Sequence, residues 1–88
     1  DTVTRELLLA LQVDGQAEVR SNCAWGLGRL HSVLAPEAQA ELVHGLLQTL
    51  LNDNDFGVRQ DARSALEQLG DGDVLAKLQA LVEDGLIA

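Results

Sequence analysis

The chain has 88 residues, enough for one domain, and 47% of them are hydrophobic, which excludes a disordered segment and allows a packed core. Fourteen acids against six bases give a net charge of −8. Such a surface repels nucleic-acid phosphates and anionic membranes; it serves solubility and suits a basic or apolar protein partner.

A single cysteine excludes an internal disulfide framework, and no apolar run nears the roughly 20 residues that span a bilayer. With no signal-peptide pattern, these features point to an intracellular, cytoplasmic protein. Trp25 and Phe56 are the whole aromatic content, so the core must be built from Leu, Val and Ala. The chain starts at Asp1 without a Met and stops in mid-pattern, so it reads as a piece of a longer protein.

The first helix is predicted over about 4–12, with Thr2 or Thr4 as cap and Leu7, Leu8 and Leu11 as one apolar stripe. Asp14-Gly15 ends it. The second runs over about 17–31, and Val19, Cys23, Gly26, Leu27 and Leu30 recur at core spacing. Gly26 and Gly28 each cost about 1 kcal/mol against Ala inside a helix. A small residue at 26 lets a neighbouring helix come close.

Pro36 opens the third helix, where no N–H is needed, and Glu37 complements the helix dipole. That helix runs over about 36–51, with Leu42, Val43, Leu46, Leu47, Leu50 and Leu51 inward. After the polar turn 52–56, a fourth runs over about 57–69 on Val58, Ala62, Ala65, Leu66 and Leu69. Gly70-Asp71-Gly72 is a stop. Asp73 then caps a fifth helix over about 74–83, carrying Val74, Leu78, Leu81 and Val82.

These helices repeat. Thirty-nine positions separate Asp14 from Asp53, Val19 from Val58, Arg20 from Arg59, Leu27 from Leu66 and Leu30 from Leu69. The fifth helix matches the third at an offset of 31, which places Asp84 on Asp53. Two helices per unit of about 40 residues define an all-α solenoid, an α-α superhelix. The units are 4–34, 36–70 and, as a first helix or cap, 73–88.

At these residues the chain resembles HEAT repeats, in particular the short subtype of phycobilisome-lyase-like proteins. The pattern is an acidic turn, then Val-Arg, small residues, Ala-Leu-Gly and Leu; here that is Asp53, Asp55, Val58, Arg59, Ala62, Ala65, Leu66 and Leu69-Gly70. The first unit carries Asp14, Val19, Arg20, Cys23, Ala24, Leu27-Gly28 and Leu30. The resemblance implies a right-handed stack in which Asp14, Arg20, Asp53 and Arg59 form a structural ladder between repeats. Gln16 stands where an acid is usual, the second turn lacks the usual Pro, and the 39-residue spacing exceeds that subtype's unit. Residues 22–27 are also similar to the third helix of an armadillo repeat, whose exposed Trp lines a peptide groove. Arg29 replaces the Asn usual there, and Ser64 stands at the position matching Trp25.

The outward stripe of the second helices holds Asn22, Trp25 and Arg29, then Asp61, Ser64 and Gln68, each trio on one face. Trp and Arg are enriched in binding hot spots, which makes this stripe the candidate partner surface. Two structural alternatives remain open: Trp25 covers the upstream helix, or it stacks on Arg29.

Catalytic and metal chemistry find no constellation. His31 lies too far around the helix from Cys23 to activate it. His31 and His44 lack metal-ligand spacing to any Cys or acid. Asp53 and Asp55 open like a Ca²⁺ loop but lack its closing Glu, so they read as turn and cap residues. No phosphate-binding Gly loop is present.

The expectation is a non-enzymatic interaction or scaffold module without cofactor, binding a basic or amphipathic protein segment along the second-helix face. Part of a chromophore-lyase-like protein, or a purely structural spacer arm, is the alternative.

Overall fold

The computed structural model describes residues 2–88. The helices are α1 (Thr2–Val13), α2 (Ala17–Leu30), α3 (Pro36–Asn52), α4 (Phe56–Leu69) and α5 (Gly72–Glu83), with a 3-10 turn over His31–Val33 after α2. They stack in two layers. Helix α1 pairs with α2 and α3 with α4; within the layers α3 follows α1 and α4 follows α2, while α5 packs chiefly on α4. The stack measures 36 × 29 × 16 Å.

Aliphatic residues at helical spacing build the core. Leu11, Leu27, Leu42, Leu46, Val58 and Leu66 are fully buried, and Ala24, Ala62 and Ala65 fill the gaps between helices. Each buried Leu or Val contributes roughly 1.5–3 kcal/mol, so the side chains shared between successive helix pairs hold the stack together.

Two glycines set the close approaches. A Cβ on Gly45 would lie 2.6 Å from Leu8 Cδ2, so the bare backbone of α3 receives a leucine of α1. A Cβ on Gly28 would lie 3.3 Å from that of Ala65, so α2 and α4 meet backbone to backbone. Gly26, the position expected for such an approach, meets only Leu7 at an ordinary 3.8 Å. Its side of α2 faces the first-layer helix, where a long leucine already fills the space.

Element ends differ in instructive ways. Thr2 and Thr4 lie inside α1 rather than before it, and Thr4 is buried. Helix α4 starts at Phe56 because Asp55 precedes it and accepts from Val58 N–H at 3.0 Å. Asp71, not Asp73, caps α5, accepting from the N–H groups of Asp73 and Val74 and so drawing Gly72 into the first turn. Gly70 closes α4 at φ 68°, a left-handed conformation that suits glycine. Leu51, expected inward, is 39% exposed.

Candidate functional site

The polar centre of the molecule lies at the edge where α1 turns into α2 and α3 into α4. Asp14 starts the first turn by accepting from Gln16 N–H, and Asp53 starts the second by accepting from Asp55 N–H, both at 2.9 Å. Arg20 rises from the first turn of α2 and joins the two. Its Nη1 donates to the Asp14 carbonyl at 2.7 Å. Nε and Nη2 donate to the two oxygens of Asp53 at 2.8 and 3.1 Å, and Nη2 also reaches Asn54 Oδ1 at 3.3 Å. This is the bidentate geometry for which a guanidinium is built.

Electrostatics follow the bonds. Burial alone would raise the Asp53 carboxyl, but the Arg20 hydrogen bond, the Asp55 N–H and the charges of Arg20 and Arg59 together hold it below its ordinary value. The hydrogen bond to Asp53 raises Arg20 in turn, against the opposing effect of burial.

Arg59 repeats half of this arrangement. Its Nη1 donates to the Asp53 carbonyl at 2.7 Å, as Arg20 does to Asp14, and its guanidinium lies 5.6 Å from the Phe56 ring centre. Among the described residues no carboxylate pairs with it as Asp53 pairs with Arg20. One helix turn on, Arg63 donates to the Ala88 carbonyl at 2.6 Å, so residues 84–88 fold back beside α4. Asn54 and Phe56 were not singled out by sequence reasoning. The ladder expected of Asp14, Arg20, Asp53 and Arg59 points to their turn, though not to their contacts.

The second-helix face runs along the outside of α2 and α4. Asn22, Arg29 and Gln68 are exposed, and Trp25, Asp61 and Ser64 are half-buried. The close approach of Gly28 to Ala65 sets the two stripes side by side. Among the described residues the cation–π pair is Arg59 over Phe56, not Arg29 over Trp25.

Cys23 is buried, and desolvation together with the Asp14 charge pushes its thiol up, away from the reactive thiolate. Asp53 and Asp55 use their oxygens on Arg20 and on turn and helix N–H groups. No group of three potential metal ligands occurs among the described residues, and none of their helices is long and apolar enough to cross a membrane.

This two-layer stack of helix pairs, tied at its turns by an arginine and an aspartate, defines an α-helical repeat protein. A family model described as HEAT repeats matches residues 4–86, and the chain belongs to that family. HEAT repeats commonly mediate protein–protein interaction or scaffolding and are typically non-enzymatic. Comparisons with curated proteins and with solved structures give no match.

Proposed function

We propose that the chain is a protein-interaction module of a larger, intracellular scaffold, receiving a partner segment along the outward face of α2 and α4. The observation that carries this reading is the side-by-side placement of the two stripes at the Gly28–Ala65 approach, with Trp25 and Arg29 among the outward residues. A half-buried Trp offers a large, rigid contact, and the exposed Arg29, Asn22 and Gln68 around it supply polar contacts. The net charge of −8 favours a basic or amphipathic segment. Arg20 and Asp53, with Asp14 and Arg59, have the structural part of fixing how one repeat sits on the next.

The test compares partner capture by the native chain, Trp25→Ala and Arg29→Ala at low and high salt. Loss of one partner in both variants, with helicity intact by circular dichroism, is the expected outcome. Equal capture by all three chains removes this face from consideration.

A further inference from the structure

A second surface lies in the other layer. Between α3 and α5 runs an open groove of about 440 Å³. The preceding seam of the same layer is closed, because Gly45 admits Leu8 of α1. At the 31-residue offset the position matching Gly45 is Ala76, which is exposed and takes no part in such a contact. The α3 wall carries an apolar stripe flanked by Gln39 and His44. Pro36, Ala40, Val43 and Leu47 form it, at helical spacing. Leu51 itself lies beyond the lining and is exposed.

Charge surrounds that stripe unevenly. Asp71 and Asp73 line the groove from the start of α5, opposed by Lys77. Glu37 and Glu41 are exposed on α3, on the stripe shared with His44. Two carboxylates thus line the groove against one ammonium, with His31 and His44 as its remaining titratable groups, and Glu37 and Glu41 add acidic charge beside it on α3. The apolar residues of the α3 wall span 12 residues from Pro36 to Leu47, about 18 Å of helix.

We propose that the α3–α5 groove is a docking site for a basic amphipathic helix of a partner protein. The partner's apolar residues, at i, i+4 and i+7 spacing, would lie on Pro36, Ala40, Val43 and Leu47, and its Lys or Arg flanks would meet the acidic margins. The site belongs to the opposite layer from Trp25 and stands independently of the second-helix reading.

The experiment uses the 88-residue chain and a fluorescein-labelled synthetic peptide of about 16 residues, with Leu at helical spacing and Lys flanks. Two control peptides keep the Leu pattern with Glu flanks or scramble its order. Saturable binding by anisotropy is expected, about tenfold or more tighter than for either control, and weakened at high salt. Ala40→Arg and Glu41→Lys, both at exposed positions, are expected to weaken it at least about fivefold, whereas Trp25→Ala and Arg29→Ala leave it unchanged. No saturable binding up to about 1 mM overturns the proposal. So do equal affinities for the Lys-flanked and either control peptide, binding that survives both groove variants, or binding lost in the Trp25 and Arg29 variants.

Discussion

Arg20 donates from Nε and both terminal nitrogens to groups in two turns that lie more than thirty residues apart in the chain. A lysine keeps the charge but cannot hold both oxygens of Asp53 and the Asp14 carbonyl in one plane. Arg20→Lys and Asp53→Asn are each expected to lower Tm, and the double variant to lose less than the two losses added. Thermal melts of the four chains form a double-mutant cycle, and strict additivity would show that the two residues act separately. Because the native Asp53 carboxyl titrates below its ordinary value, its ionised form stabilises the fold above the unfolded carboxylate range. That contribution is lost as pH falls through the native value, so Tm is expected to drop below about pH 4, and part of the drop to vanish in Asp53→Asn. Asp71 acts more locally. Asp71→Ala removes the acceptor for two N–H groups of α5 and is expected to cost about 1 kcal/mol in urea unfolding.

At the scale of the helices, the two close approaches call for opposite responses to added side-chain bulk. Gly45→Ala places its Cβ against the far end of Leu8, a flexible side chain that can rotate away, so the helix-propensity gain of up to about 1 kcal/mol is expected to leave stability unchanged or raised. Gly28 meets Ala65, whose Cβ cannot move without its helix. Gly28→Val is expected to destabilise by about 1–3 kcal/mol through overpacking, measured by the same urea titration.

These details mark where sequence reading stops. Helical spacing made the core stripes of α2, α3 and α4 legible, along with the acidic turns, because each depends on local periodicity and turn chemistry. It did not separate Gly26 from Gly28, since that choice rests on which neighbouring helix each side of α2 meets. It set Leu51 in the core because an apolar stripe shows no sign of whether a partner helix covers it. In Gly70-Asp71-Gly72-Asp73 two aspartates compete for one cap, and only the observed backbone decides. For the candidate surfaces, the stripe of Trp25 and Arg29 could be read from spacing, whereas the α3–α5 groove depends on how two distant helices settle.

Taken whole, the molecule is firm in its middle and looser toward α5. Helices α1 to α4 share the fully buried leucines, whereas α5 contributes Val74 and Leu78 and leaves Leu75 exposed. Leu66→Ala is expected to cost about 2–5 kcal/mol and to destabilise every helix, as a core cavity does. Amide hydrogen exchange is expected to be fastest, among the last three helices, in α5, and uniform protection across α3, α4 and α5 would contradict this ordering.

The Arg20 clamp also has a mechanical consequence. It crosses from the first pair to the second at the turn edge as a bidentate ion pair, whereas at the opposite edge Gln39 donates to the His31 carbonyl. With its ionic clamp on one rim, such a stack is expected to bend like a fan about that rim, limited on the far side by the Gly28–Ala65 approach. Pulled end to end, such a spring should stretch first by fanning about the arginine rim and only later by tearing helices from the core. Replacing that one side chain would turn a directional spring into a slack one.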